Sequence, residues 1–388
     1  MKNNLFGCFT SVKNLKTFQK HLTSKMEIAS TIELENQFHC DLDSSAFKDL
    51  LIFVDFHLPG TLTSNVLLNL YRSAQRTLSQ ESVYLNLSCV SENERIEALR
   101  LNLSEKFENI HIFFEVHTVI DQRENQFNPG FFSELRKSFN INVIPICFDL
   151  YRSFDLEYIA YWSDITTKLI HIDPIGSSKI PSTVSKLFWP FIFPSKEIQR
   201  EIVSSGLKEI LDSKVITYSK DISFSGSLNS PLRIKYLRLL KLASIRLSFS
   251  LSISNTSTSS KSHQSIETID YLVRLKSCMG IINFSEKAKA AHPLITFRAL
   301  ETMSLGGCLL EQVTPAGDSQ LSGIAVPYKH YLPFQTVGEL IMLCFTLSSN
   351  PSISLQIKEN ASALWERFYS ESTMWSYLLI KLRETPYS

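Results

Sequence analysis

No Cys-x-x-Cys pair occurs in this chain. Its seven cysteines, Cys8, Cys40, Cys89, Cys147, Cys278, Cys308 and Cys344, lie far apart, which excludes a zinc ribbon, a thiol redox motif and a disulfide-stapled scaffold. They are expected to be reduced, mostly buried thiols. His39-Cys40 lacks the second pair of ligands that a tetrahedral site needs, so no metal site is expected. Neither Gly-x-Gly-x-x-Gly nor a Walker-type loop is present, which argues against a dinucleotide oxidoreductase and a P-loop phosphotransferase. Asp41-Leu42-Asp43 lies in a polar region ahead of the first clear strand, not where a divalent-dependent transferase would need it. Charge of one sign is missing too. Lys plus Arg is 39 against 38 for Asp plus Glu, so no long-range field marks a nucleic-acid or polyanion binder, although a local basic pocket stays open. Residues 1–20 have no continuous apolar core, and no window approaches the length of apolar chain that spans a bilayer. Secretion and membrane spanning are therefore not expected, and the location expected is the cytoplasm.

What is present is an ordinary globular composition, 44% hydrophobic and 20% charged, in 388 residues. That length favours two domains. Nearly continuous apolar runs at Leu50–Phe56, Asn109–Phe114 and Asn142–Phe148 have the pattern of parallel strands covered on both faces. Helical periodicity at Ser64–Thr77 and Glu92–Phe107 separates them, with Ser91 as an N-cap, so the expected units are βαβ. Asp164–Ile172 is another strand candidate, and Leu187–Pro194 is too Pro-interrupted for a central strand and reads as a connector. The same grammar restarts after it: a helix at Ser195–Leu211, strands at Val215–Tyr218 and Ile222–Gly226, and a helix from Pro231. Alternation from Ile245 to Ile253 predicts a half-buried strand, and Asn255–Ser265 a polar loop. A helix at Ile266–Cys278, a strand at Met279–Phe284, a helix at Thr296–Leu305 ending at Gly306-Gly307, a strand at Cys308–Leu310 and three closing helices complete the chain. The fold class expected is α/β, with two doubly wound Rossmann-like domains facing a cleft. Residues 1–194 would form the N-terminal acceptor-side domain and residues 195–388 the C-terminal nucleotide-sugar-binding domain, whose last helix can pack back on the first.

Several residues at strand ends carry candidate chemistry. Gly226 follows a buried strand, where the lack of a Cβ lets backbone N–H groups approach a phosphate, and Ser227 adds a hydroxyl; the alternative is a plain strand-to-helix turn. Arg233 lies in the first turn of the next helix, where it can fork onto phosphate oxygens or simply face solvent. Arg298 and Glu301 share a helix face near its N-terminal end, a place that attracts a diphosphate and offers a carboxylate to ribose hydroxyls; the alternative is an i,i+3 surface ion pair. In the N-terminal half, His117, Asp121 and Asp149 follow strand ends, where ligands of doubly wound sheets bind, and His57 is a similar case. A His or Asp there can take an acceptor proton, and Asp149 can equally cap the next helix.

Ser223–Lys241 (SFSGSLNSPLRIKYLRLLK), Tyr271–Phe284 (YLVRLKSCMGIINF) and Thr296–Glu311 (TFRALETMSLGGCLLE) together resemble the C-terminal domain of bacterial spore-maturation-type glycosyltransferases of the GT-B fold. That pattern is a strand ending in Phe-x-Gly-Ser, an Arg a few residues on, a helix with a Tyr, a strand with Asn, and Arg-x-x-Glu before a Gly. The resemblance covers roughly residues 140 to 370. It implies a glycosyltransferase that moves a sugar from a nucleoside-diphosphate sugar to a hydroxyl acceptor (glycan, lipid-linked or protein), with no cofactor or metal. Arg298 would hold phosphate and Glu301 the ribose, with Gly226, Ser227, Arg233 and Thr296 also at the donor and His292 bordering the same loop; Asp149 and His117 are the catalytic candidates. Many retaining GT-B enzymes carry a second Glu eight positions before the ribose Glu, and here that position is Pro293, with Glu286 too far upstream. This leaves the sugar contact and the stereochemistry open. Two other readings are a non-catalytic GT-B module that binds a nucleotide sugar or glycan, and an epimerase of the same fold.

Overall fold

The computed structural model describes residues 12–35, 37–38, 47–56, 65–88, 92–116, 127–147, 150, 153–166, 168–190, 219–226, 228, 230–255, 268–285, 292, 294–314 and 320–384. They form two parallel-sheet α/β units, the fold class expected from the sequence. The first half of the chain runs α1 (Val12–Ser30), β1 (Asp49–Asp55), α2 (Asn65–Thr77), β2 (Glu81–Asn86), α3 (Glu92–Leu101), β3 (Asn109–Glu115), α4 (Pro129–Leu135), β4 (Ile141–Cys147), α5 (Ser153–Trp162), β5 (Lys168–His171) and β6 (Ser185–Phe188). The second half runs β7 (Ser219–Gly226), α6 (Pro231–Leu247), β8 (Ser250–Asn255), α7 (Thr268–Ser277), β9 (Cys278–Asn283), α8 (Phe297–Ser304), β10 (Leu309–Gln312), β11 (Leu332–Phe334), α9 (Val337–Ser349), α10 (Pro351–Phe368) and α11 (Glu371–Arg383).

The first sheet has the order β2-β1-β3-β4-β5-β6 and the second β11-β10-β9-β7-β8. All their pairings are parallel. Strand order reverses between β1 and β3 in one sheet and between β7 and β9 in the other. Such switch points leave a crevice outside the carboxyl ends of the strands, the usual ligand position in open α/β sheets. Central strands are apolar because both their faces are covered: every residue of β1 and of β9 is buried. Edge strands are not, and β2 is only half-buried along most of its length.

That difference explains what the sequence pattern missed. β2, with Glu81, Ser82 and Asn86, lacks the apolar run of a central strand. β11 is three residues long, and α4 and α5 are short. The segment read as a connector contributes the end of the edge strand β6. The alternation from Ile245 to Ile253 is corrected at its start: α6 continues to Leu247, Ser248 adopts φ 55°, and only then does β8 begin. Ile245, expected to be half-buried in a strand, is 74% exposed on the helix. The Ser195–Leu211 helix, the Val215–Tyr218 strand, residues 256–265 of the polar loop and the first two residues of the Ile266–Cys278 helix lie outside the described residues.

Contacts divide the chain into Met1–Asn36 with Pro194–Arg367, and Gln37–Phe193 with Phe368–Ser388. In the first of these units Leu22 and Met26 of α1 are buried in one core with Ile222, Ile282, Leu310 and Leu343. Lys25 donates to the Tyr328 hydroxyl (2.9 Å), and Lys329 donates to the Ser30 and Ile32 carbonyls. The sequence reading placed residues 1–194 together; α1 belongs with the second sheet, because Phe18, Leu22, Met26 and Ala29 make an apolar stripe at helical spacing among polar residues.

α11 packs with the first sheet and is held along its whole length. Glu371 accepts from Ser73, Arg76 and Thr77. Trp375 donates to Ser73 and packs edge-on against Trp189, whose indole N–H donates to the Met374 carbonyl. Lys168 donates to the carbonyls of Lys381 and Glu384. Arg383 forks onto Asp49 at 2.6 and 3.0 Å. Burial alone would raise the Asp49 carboxyl, yet hydrogen bonds from His111, Arg383 and Asn109 hold it well below the usual carboxylate range. No single described helix is long and apolar enough to cross a membrane; the pair α9 and α10 reaches that length only with a 100° bend.

Because Asp49 is buried, removing its fork partner strands a charge. Arg383→Ala should destabilise the Gln37–Phe193 unit by about 3 kcal/mol, read by urea denaturation. A depressed carboxyl contributes stability above its unfolded pKa of about 4 and loses it as pH falls. The Arg383-dependent difference should therefore be full at pH 7 and shrink below pH ~4.

Candidate functional site

At the second switch point β7 ends in Gly226 and β9 in Asn283, two strands that neighbour each other in the sheet. Two helices bring cations to this end. Ser230 N-caps α6 and Pro231 occupies its first turn, which sets Arg233 one turn in. Thr296 N-caps α8, its side chain accepting from the Ala299 N–H, which sets Arg298 in the first turn. α8 ends as its glycines predict, with Gly306 at φ 68° and the Gly307 N–H donating to the Thr302 carbonyl.

Arg298 lies directly over the end of β7. A Cβ at residue 226 would come within 2.5 Å of Arg298 Nη2, so the approach of the guanidinium requires glycine there. The Arg298 guanidinium carbon sits 5.3 Å from the Phe224 ring centroid, and that of Arg233 sits 5.8 Å from the same ring and 5.5 Å from Phe284. Phe224 thus carries two cations. Burial lowers the Arg233 pKa, and the positive charge of Arg298 lowers it further. The Arg298 Nε is buried and has no hydrogen-bond partner among the described residues, and Arg298 has no carboxylate within ion-pair distance there. Two partly desolvated guanidiniums held together can engage an anion with several oxygens.

A polar chain fixes Arg298 from behind. Its Nη1 donates to Asn283 Oδ1 (3.3 Å), which also accepts from the Thr296 hydroxyl (3.0 Å), and Asn283 Nδ2 donates to Glu311 Oε2 (2.7 Å). Asn283 and Glu311 are buried at the ends of adjacent strands. Burial raises the Glu311 carboxyl to about 8, against the lowering effects of Asn283 and Arg298. Near neutral pH this carboxyl is mostly protonated, so it does not cancel the Arg298 charge.

Arg298 and Glu301 do not pair with each other. Glu301 Oε2 instead accepts from the Tyr271 hydroxyl (2.8 Å), which orients the carboxylate and rules out the i,i+3 surface ion pair. Burial raises the Glu301 carboxyl, partly offset by Tyr271 and Arg298. Gly226, Arg233, Thr296, Arg298 and Glu301 therefore lie at the carboxyl end of one sheet or on the two helices that follow its strands. Thr296 spends its hydroxyl on the cap and on Asn283. His292 is half-buried just ahead of Leu294. Ser227, His57, His117, Asp121, Asp149, Glu286, Pro293, His39-Cys40 and Asp41–Asp43 lie outside the described residues. Tyr271 and Asn283 stand in the resemblance pattern without an assigned role, and Glu311 has none from sequence. Asn283 and Glu311, polar residues ending apolar runs, were the available signal. Among the described residues no group of three or more His, Cys, Asp or Glu is arranged to hold a metal ion, and Cys147, Cys278, Cys308 and Cys344 are buried and in no disulfide.

No protein-family model matches the chain, and no curated protein matches its sequence. Solved structures do match. A UDP-forming α,α-trehalose-phosphate synthase from Burkholderia xenovorans aligns with a TM-score of 0.53 at 8% identity, over 88% of this chain and 100% of that one. A glycosyltransferase from Rickettsia africae aligns at 0.48 and 11% identity, over 88% and 99%. An α,α-trehalose 6-phosphate synthase from Burkholderia multivorans aligns at 0.49 and 8% identity, over 87% and 98%. At these identities the likeness to the first establishes the fold: two parallel α/β units of the GT-B class.

The Glu311 carboxyl gives this polar chain a pH signature. Its raised pKa means that the folded chain holds a proton that the unfolded chain releases above about 4.5. Stability should therefore fall as pH rises from about 4.5 to 8, by an amount on the order of a few kcal/mol. Glu311→Gln should remove that part of the slope in thermal melts between pH 5 and 8; an unchanged slope would show that Glu311 ionises normally.

Proposed function

We propose that this chain is a glycosyltransferase that moves a sugar from a nucleoside-diphosphate sugar to a hydroxyl acceptor. The observation that carries this reading is the pair Arg233 and Arg298, both within 6 Å of the Phe224 ring at the switch point of the second sheet, with Gly226 leaving room for the Arg298 guanidinium. A diphosphate has the size, charge and oxygen count to engage both guanidiniums, together with the backbone at Gly226 and Ser227. Glu301, oriented by Tyr271, has a second carboxylate oxygen to accept from ribose hydroxyls. The sequence resemblance to spore-maturation-type glycosyltransferases assigns the same residues to the same end of the donor, and we place the chain in that group.

In this reading the bond between the anomeric carbon and the diphosphate oxygen breaks while the acceptor oxygen attacks that carbon. Charge builds on the departing diphosphate, and fixed cations that need not reorganise lower the barrier. Arg233 and Arg298 supply that charge, so no metal is required for the step. The acceptor proton goes to a base in the N-terminal half, for which Asp149 and His117 are the proposed groups. The acceptor is a glycan, a lipid-linked hydroxyl or a protein, and the location is the cytoplasm, where Cys147, Cys278, Cys308 and Cys344 stay reduced.

Calorimetry with nucleoside diphosphates tests the donor site, with UDP first because the trehalose-phosphate synthase above is UDP-forming. Binding to the wild-type chain should weaken by about 10- to 100-fold in Arg298→Ala, the loss expected for charge-assisted hydrogen bonds. Gly226→Ala, by displacing that guanidinium, should weaken binding in the same direction, and Glu301→Ala should weaken nucleoside diphosphates but leave pyrophosphate unaffected. Equal binding of all four proteins to every diphosphate would contradict the assignment.

A further inference from the structure

α6 has a second face that the donor site does not use. The helix contains five cations and no carboxylate (PLRIKYLRLLKLASIRL). Leu237, Leu240 and Ala243 are buried toward the sheet. On the opposite side Lys235, Arg238, Lys241, Leu242 and Ile245 are exposed, with Leu242 at 54% and Ile245 at 74%. At about 100° per residue these five span roughly 120° of the helix circumference. Within that arc Arg238 lies at the centre, Ile245 about 20° to one side and Leu242 about 40° to the other, with Lys241 and Lys235 at the margins; exposed Arg246 lies about 20° beyond Lys235.

We propose that this face of α6 docks the unit on an anionic lipid surface. Two exposed branched side chains three residues apart, interleaved with basic residues, suit a helix that lies in a membrane interface: the branched side chains enter the acyl boundary, while the long basic stems reach lipid phosphates. Among the described residues, neighbouring elements do not neutralise it. β8, beside the helix, has no carboxylate (SLSISN). α9, packed against its inner side, has one, Glu339, and that is committed to a capping box with Thr336. A protein partner fits less well, because lysine is depleted in protein interfaces. Nucleic acid fits less well too, since the chain as a whole carries a formal charge of only +1. A membrane needs neither feature, because the local charge of a few basic residues within a Debye length of the lipid is sufficient.

Co-sedimentation of the full chain with vesicles tests this directly. Vesicles of phosphatidylcholine with phosphatidylglycerol should pellet the wild-type chain, and pure phosphatidylcholine vesicles should pellet it at least about ten-fold less. Lys235→Glu combined with Arg238→Glu and Lys241→Glu should abolish the binding, and Leu242→Asn with Ile245→Asn should weaken it at constant charge. All substituted positions are exposed, so melting temperatures matching the wild type establish that loss of binding is not loss of fold. Failure of the wild-type chain to bind anionic vesicles, or equal binding by the charge-reversed variant, overturns the proposal, as does binding that responds to charge but not to Leu242 and Ile245. Capture of a protein partner through this face without vesicle binding overturns it as well.

Discussion

The guanidinium of Arg298 rests on the backbone at Gly226, and the rest of the candidate site is arranged around that contact. It works only because β7 ends in a residue without a Cβ. It also needs Asn283 to hold the other side of the guanidinium, Thr296 to cap α8 so that Arg298 falls in its first turn, and Phe224 to offer a ring face. Each requirement belongs to a different element, yet all meet where the strand order reverses. Topology therefore does much of the positioning: β7 and β9 are adjacent but separated in sequence by an entire α–β–α excursion, and their carboxyl ends open together.

Electrostatics give that geometry a direction. Two guanidiniums close enough to lower the pKa of Arg233 would repel each other without a counter-charge. The buried carboxyl beside them, Glu311, is mostly neutral near pH 7, and Glu301 is turned to Tyr271. Among the described residues no carboxylate comes within ion-pair distance of Arg298, so its charge stays unquenched there at a half-buried point. A protein fold optimised only for stability would have little reason to keep such an arrangement, whereas an anion that arrives and departs needs it.

The sequence made much of this legible, and the parts it hid have a common cause. Apolar runs located the central strands because strands covered on both faces are almost wholly apolar. Edge strand β2 and three-residue β11 escaped because they lack that composition. α1 escaped because its four core-facing residues are diluted by lysines and other polar groups. The candidate residues Gly226, Arg233, Arg298 and Glu301 are legible as strand-end and helix-start residues, where spacing speaks directly. Tyr271 and Asn283 belong to the pattern that carries the resemblance, but their roles, like that of Glu311, emerge only when β9 and β10 lie side by side and α7 approaches α8. The termini of α6 and β8 were misjudged because Ile245 and Leu247 happen to fall on the alternation of the following strand.

Amide hydrogen exchange tests directly whether a diphosphate binds at the carboxyl ends of β7 and β9, without presupposing the sugar or the acceptor. With pyrophosphate and then with nucleoside diphosphates, protection should rise in peptides covering Phe224–Arg233 and Thr296–Glu301, with the nucleosides adding protection near Tyr271. Protection confined to other segments, with none at these two, would contradict the account.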